Sequence, residues 1–300
     1  MQVSVPSIDR AFEGRRILVT GASRGIAAEI ALALGRAGAA VILNHCAAAD
    51  AAAGQAQAAQ DVASRIRDAG GTVEVVEQDL EMPGAGRGLA ALAQEGGPVD
   101  GVVLSASIQI HQPFLRQTAE DLARQISINV IANVEILQGL LPGMARRGFG
   151  RVLAIGSVQQ QVPSSEMPIY SMTKAALANL FENLAVQGGA DGITFNTLSP
   201  GLIQTDRNAF RRRDMAEWEQ VCRNANPMRR AGLPSEMVAP ALFFLSEGAA
   251  FVTGATLFAT GGSHVRSFPD GARHGLALPD EITEAAEERQ HLFVQGRNQG

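Results

Sequence analysis

Along the chain, short runs of β-branched and leucine residues alternate with longer stretches whose apolar positions recur at helical spacing. Residues 17–20, 41–44, 72–77, 99–105, 151–155, 194–198 and 256–258 form the predicted strands. Between them, helices are predicted at 25–37, 50–69, 86–94, 119–146, 169–187 and 235–247. Several of the strand runs are apolar at consecutive positions, as expected of strands covered on both faces. The alternation predicts an α/β protein: a doubly wound Rossmann-type fold with a mainly parallel seven-stranded sheet in a single domain. In such sheets ligands bind outside the carboxyl ends of the strands, so the loops that follow the strands are the places to look for chemistry.

No Pro- and Ser-rich run divides the chain, and no fixed-period repeat is present. The expected organisation is an N-terminal extension (1–14), the sheet domain (15–262) and a tail (263–300) with a charged helical segment near 281–294. The alanine-rich stretch at 50–63 is read as helix propensity without chemistry. The first ten residues lack the apolar core of a signal peptide, and no later segment reads as a bilayer span, so a cytoplasmic protein without a membrane partner is expected. A net charge of −5 argues against nucleic acid as a partner, and Arg211, Arg212 and Arg213 form too short a run to reverse that. Cys46 and Cys222 are far apart and have no partner at metal-ligand spacing, so neither a disulfide framework nor a metal site is expected.

Composition adds one sharper observation. The chain has 24 Arg but one Lys, and 12 Phe but one Tyr. The two rare residues are Tyr170 and Lys174, four apart, which makes them neighbours on one helix face. Arginine cannot replace a compact titratable ammonium, nor phenylalanine a phenol. A phenol beside an ammonium is an acid–base device, because the positive charge stabilises the phenolate and brings a pKa of about 10 toward the working range.

Directly after the first strand comes Thr20-Gly21-Ala22-Ser23-Arg24-Gly25-Ile26-Ala27, leading into an apolar helix. Glycines there let the backbone approach a pyrophosphate while the helix N-terminus supplies free N–H groups. Ser157 stands thirteen residues before Tyr170, Asn129 lies in Ser127-Ile128-Asn129-Val130, and Pro200-Gly201-Leu202-Ile203-Gln204-Thr205 follows the sixth strand. The three-residue gap between Gly21 and Gly25, the Tyr-x-x-x-Lys of 170–174 and these other motifs, in this order over residues 15–262, resemble the short-chain dehydrogenase/reductase family, in its single-domain 3-oxoacyl-reductase-like branch.

The resemblance implies an NAD(P)-dependent oxidoreductase acting on a secondary alcohol or ketone. Tyr170 would be its acid–base, Lys174 would tune the phenol and hold the nicotinamide ribose, Ser157 would bind the substrate oxygen, and Asn129 would hold a relay water. It places the cofactor against Gly21, Ser23, Arg24, Gly25, Ile26, Asn44, His45, Asp79, Leu80, Ser105, Ala106, Ser107, Tyr170, Lys174, Pro200, Gly201, Ile203 and Thr205. At the end of the second strand, where an acidic residue would select NAD, stands His45 with no carboxylate. Arg24, His45 and Asn44 are therefore expected to receive a 2′-phosphate, favouring NADP over NAD. Ala27 replaces a usual third glycine, and Leu104-Ser105-Ala106-Ser107 stands where the family has Asn-Asn-Ala-Gly, so the loss of two Asn side chains leaves the support of that strand end to the two serines or to another group.

Substrate choice is expected in loops 108–118, 158–168 and 204–227. Gln109, His111, Gln112, Gln159, Gln160 and Gln161 suit a polar substrate, with Gln109 and Gln159 joining Ser157 and Tyr170 as its contacts, and Arg207 and Arg211–Arg213 suit an anion. A sugar or polyol, a small hydroxy acid or ketone, and a 3-oxoacyl thioester all remain open. The family also implies a homo-oligomer, tetramer or dimer, built on helices 119–146 and 169–187. Two other classes share parts of the pattern: a non-catalytic dinucleotide sensor, and a sugar-nucleotide epimerase or dehydratase, which has a different glycine spacing and a larger C-terminal domain.

Overall fold

A computed structural model of the protein describes residues 11–265. The predicted 281–294 helix, the rest of the tail beyond residue 265 and the first ten residues lie outside the described residues. Seven strands, β1 (Arg16–Val19), β2 (Ala40–His45), β3 (Thr72–Glu77), β4 (Gly101–Leu104), β5 (Gly150–Ile155), β6 (Ile193–Pro200) and β7 (Thr256–Ala259), form one sheet in the order β3-β2-β1-β4-β5-β6-β7. Every pairing is parallel. The chain runs outward from β1 to β3 and then returns to start again at β4 beside β1, so the strand order reverses between β1 and β4 and opens a crevice at their carboxyl ends.

Alternation within each strand builds two cores. Ile17, Val19, Val41, Leu43, Val103, Leu153 and Ile155 face one side, where they meet α1 (Gly25–Arg36), α3 (Ala58–Asp68) and α9 (Val238–Leu245). Leu18, Ile42, Val102, Leu104, Val152 and Ala154 face the other, against α4 (Ala85–Glu95), α6 (Ala132–Arg147) and α7 (Pro168–Gly188). Each fully buried Leu, Ile or Val contributes roughly 1.5–3 kcal/mol. Phe12, placed by the sequence in an extension, is 2% exposed and belongs to the first core.

Three elements depart from the sequence reading. The helix predicted at 50–69 is two helices, α2 (Ala47–Ala52) and α3, broken around Gly54 at φ +73°. The helix predicted at 119–146 is interrupted: α5 (Ala119–Ile126) passes through a π turn, Ser127–Ile131, into α6. By length and composition the run Ala119–Arg147 is also apolar enough to cross a membrane, contrary to the expectation that no segment qualifies; here half of its most apolar stretch is buried, with Ile136, Leu140 and Met144 in the second core. Finally α8 (Met215–Ala225), which was not predicted, is capped by Asp214, whose side chain accepts from Ala216 N and Glu217 N.

The α4–α6 contact is close enough to exclude a methyl group. A Cβ on Gly86 would lie 2.3 Å from the Ala132 carbonyl oxygen, whereas one on Gly88 would meet only the tip of Gln78 at 3.6 Å. We expect Gly86→Ala to lose about 1–3 kcal/mol in chemical denaturation, while Gly88→Ala, in the same helix, gains up to about 1 kcal/mol. Equal effects of the two substitutions would refute the packing account.

Candidate active site

The loops after the strands enclose a cavity of about 1010 Å³ along the carboxyl edge of the sheet, across the β1/β4 reversal. Every predicted cofactor residue lines it, as do the substrate contacts Gln109, Ser157, Gln159 and Tyr170 and the catalytic residues other than Asn129. At its centre the β1–α1 turn passes close to the end of β4: a Cβ on Gly21, at φ +65°, would lie 3.0 Å from the Ala106 Cα. That contact explains why only glycine fits there. Of the two sources of support left open for this strand end, the structure has the second: Thr20, whose Oγ1 accepts from Ser105 N (2.9 Å) and Ala106 N (3.0 Å). No side chain caps α1, so its first N–H groups face the cavity with the positive end of the helix dipole. This backbone cradle fits a dinucleotide pyrophosphate.

The end that would receive the adenosine is organised by a residue the sequence reading passed over. Asp50, assigned to a helix without chemistry, is buried. One carboxylate oxygen accepts from Ser23 Oγ (2.8 Å) and Arg24 Nε (3.1 Å), and the other lies 3.0 Å from His45 Nδ1. The end of β2 carries no acid, but α2 brings one to the same space. Because a carboxylate only accepts, Nδ1 carries the imidazole proton, which leaves Nε2 and the terminal nitrogens of Arg24 for a ligand. Asn44 plays a different part from the one expected of it. Its Nδ2 donates to the backbone carbonyls of His45, Val76 and Gln78, while its Oδ1 accepts from Gly21 N, so it braces the glycine turn from beneath. Asp79 forms a local turn by accepting from Glu81 N, beside buried Leu80.

At the opposite end α7 starts with Pro168 in its first turn and carries Tyr170 and Lys174 inward, 4% and 3% exposed. Lys174 Nζ donates to the Ile155 carbonyl (2.7 Å), which ties the helix to the end of β5, and lies 5.6 Å from the Tyr170 ring centre. The Tyr170 side chain shares the cavity wall with Ser157 and Gln109, and both favour its ionised form. Burial pushes the phenol pKa up, but the charges of Lys174 and Arg207, with the neighbouring Gln109 and Ser157 side chains, outweigh it and hold the phenol below its ordinary value. Burial also lowers the Lys174 pKa, against the pull of Tyr170.

Asn129 sits in the π turn, fully buried. Its Oδ1 accepts from Ile108 N (2.8 Å), and its Nδ2 donates to Ile108 O (3.0 Å) and Thr173 Oγ1 (3.1 Å). Both amide N–H groups are thus engaged, and the side chain pins the loop after β4 to α7.

The polar loops sort into two groups. Gln109, His111 and Gln159 line the cavity. Gln112, Gln160 and Gln161 do not: Gln160 accepts from Ser199 Oγ (2.7 Å) beneath the site, and Gln112 bonds the Arg116 carbonyl within its own loop. Arg211 and His111 both meet Glu166, and Arg212 bonds Thr205 O and Asn208. Of the predicted anion-attracting arginines, only Arg207 faces the reacting end without a carboxylate among the described residues.

A backbone cradle for a pyrophosphate at one end and a buried phenol–ammonium pair at the other define a dinucleotide-dependent oxidoreductase. Residues 21–264 match the family described as enoyl-(acyl carrier protein) reductase. The fold is similar to that of a 3-oxoacyl (acyl-carrier-protein) reductase from Agrobacterium tumefaciens C58 with NADP bound, at 43% identity and a TM-score of 0.80, covering 85% of this chain and 96% of that one. It is also similar to a gluconate 5-dehydrogenase from Burkholderia cenocepacia J2315 in complex with NADP and tartrate (29% identity, TM-score 0.77, 87% and 99% covered). In sequence the chain is 32% identical over 253 residues to the L-rhamnose 1-dehydrogenase (NAD(P)(+)) of Azotobacter vinelandii, covering 84% of this chain and 97% of that protein. The chain belongs to the short-chain dehydrogenase/reductase family, and is an NAD(P)-dependent oxidoreductase acting on a CH–OH/C=O pair, with NADP the favoured cofactor.

The geometry around Asp50 gives that preference a test. Arg24→Ala removes the guanidinium that shares Asp50 with His45. NADPH affinity is expected to fall about tenfold or more, with NADH affinity changing by less than about threefold. Fluorescence titration of the two cofactors checks this; an equal loss for both would mean that Arg24 does not read the 2′ position.

Proposed function

We propose that Tyr170 is the acid–base of a reversible alcohol oxidation, with Lys174, Ser157 and Asn129 as its supporting group. The observation that carries this reading is the burial of the chain's single Tyr and single Lys side by side at the cavity wall, which Ser157 also lines. A bound nicotinamide supplies or accepts the hydride. The substrate hydroxyl lies between Ser157 Oγ and Tyr170 Oη, where the phenolate takes its proton during oxidation and the phenol returns one during reduction. Ser157 stabilises the charge that develops on the substrate oxygen. Lys174 holds the phenolate form accessible and would bind the ribose hydroxyls of a nicotinamide cofactor. Asn129 acts as a positioning residue through Ile108 and Thr173, so any water relay at that turn would use the backbone that the π geometry frees rather than the side-chain amide.

The polar lining from Gln109, His111 and Gln159 favours a hydroxylated, sugar-sized substrate, in keeping with relatives named for rhamnose and gluconate. We place the enzyme in the cytoplasm, in keeping with two free cysteines. As assembly surface we take the outer faces of α5 to α7, where Leu122, Ile131, Met172 and Val186 stand exposed. Light scattering after size exclusion is expected to give a dimer or tetramer; a monomer at micromolar concentration would remove that surface from the account.

Tyr170→Phe is expected to lower turnover by about a thousandfold or more while NADPH still binds. Substantial remaining turnover would overturn the mechanism. The pH dependence follows from the lowered phenol pKa. Oxidation needs phenolate, so its rate rises with pH through a pKa below the ordinary 10.0, and reduction needs the phenol, so its rate falls through the same pKa. Lys174→Met removes the stabilising charge and is expected to move both profiles to higher pH; unmoved profiles would separate Lys174 from Tyr170.

A further inference from the structure

The charges lining the cavity balance at one end and not at the other. Arg24 is matched by Asp50, Arg124 by Glu81 and Arg211 by Glu166. Of the remaining carboxylates, Asp79 lies at the adenosine end in its own turn, and Asp206 accepts from Gln55. At the reacting end stand two cations. Lys174 is buried against Tyr170 and the Ile155 carbonyl. Arg207 is exposed to the cavity and has no carboxylate partner among the described residues; its guanidinium donates only to the backbone carbonyl and hydroxyl of Ser107.

Ser107, Gln109, Ser157 and Tyr170 line the same cavity, so the bonds to Ser107 hold Arg207 on the wall where the substrate oxygen must sit. Two neutral acceptors do not compensate a guanidinium, whose planar fork of donors matches a carboxylate in bidentate fashion. The contact with Ser107 is one that an incoming carboxylate would replace or extend.

We propose that Arg207 is a specificity-determining residue that binds a carboxylate carried by the substrate, and that the enzyme's substrate class is therefore hydroxy acids of the sugar-acid kind rather than neutral sugars or polyols. The inference rests on the assignment of Tyr170 and Ser157 as the reacting centre. A second anion can reach the same region, the pyrophosphate of the cofactor, because Arg207 also feels the charge of Arg24. The two sources are separable.

The test is calorimetric titration of the NADP⁺-loaded full chain with matched acid and alcohol pairs: tartrate and threitol, D-gluconate and D-glucitol, D-galactonate and galactitol. Wild type, Arg207→Gln and Arg207→Lys are compared, with NADP⁺ affinity measured for each. At least one acid is expected to bind about tenfold or more tighter than its neutral partner. Arg207→Gln should reduce that preference to under about threefold, Arg207→Lys should retain part of it, and NADP⁺ affinity should stay within about twofold. The proposal is overturned if no acid outbinds its alcohol in the wild type. It is equally overturned if Arg207→Gln weakens NADP⁺ by about tenfold and leaves the acid preference in place, which assigns the guanidinium to the pyrophosphate. A wild-type chain that binds no nicotinamide cofactor at all would instead take down the reading of the site on which this inference rests.

Discussion

The reacting end depends on a buried ammonium that has no carboxylate. Lys174 is 3% exposed, and its one hydrogen bond is to the carbonyl that ends β5. Burying a lone charge is costly, and in most interiors a carboxylate offsets the cost. A carboxylate here would work against the acid–base role proposed for Tyr170, because it would neutralise the field that lowers the phenol pKa. The fold instead meets the charge with a main-chain dipole and with Tyr170 itself, whose phenolate is the natural counter-ion. The acid–base pair is thus stabilised most in the form that oxidation needs. This requirement fixes the geometry around it: α7 must enter with a whole turn between Tyr170 and Lys174, and Ile155 must end its strand within reach of Nζ.

The other end of the cavity follows the opposite rule. There a carboxylate is present and fully engaged, with Asp50 gathering Ser23 and Arg24 from the β1–α1 turn and His45 from the end of β2. Three acceptor contacts on one buried group hold the donors in place before any ligand arrives, so their ordering does not weaken the binding step. Asp50 also cancels part of the Arg24 charge. The same residue therefore preorganises the 2′ region and moderates it, in keeping with relatives named for both cofactors.

Much of this was legible in the sequence. Seven strands could be placed because parallel strands buried on both faces leave continuous apolar runs, and Tyr170 and Lys174 stood out because the chain otherwise uses Phe and Arg. What stayed hidden depends on contacts between distant segments. Asp50 sits among alanines, and nothing local distinguishes it from a solvated helix residue; its role appears only when the β1–α1 turn and β2 are placed around it. The bracing of the β4 end by Thr20 was hidden for the same reason, since a threonine closing a strand has no marked signature. The π turn at Ser127–Ile131 is invisible to apolar periodicity, which runs through it almost unchanged, although the unusual burial of Asn129 depends on it. Gln112 and Gln160 were read as substrate-facing because composition gives polarity without direction.

At the reacting end the proposed acid–base pair and the proposed carboxylate site are coupled through charge. Arg207 and Lys174 both draw the Tyr170 phenol toward ionisation. A group that neutralises Arg207 leaves Lys174 to act alone, so the phenol in the occupied site holds its proton more tightly than in the free one. For oxidation this is a cost, since the base is then less ionised at a given pH, but the more basic phenolate is also the stronger proton acceptor once formed. For reduction both changes act together, because the phenol stays protonated and ready to donate over a wider range. The profile of kcat/KM, which reports the free enzyme, and that of kcat, which reports the complex, therefore lie apart, and the distance between them measures how much of the field at Tyr170 comes from Arg207 rather than from the helix that carries it.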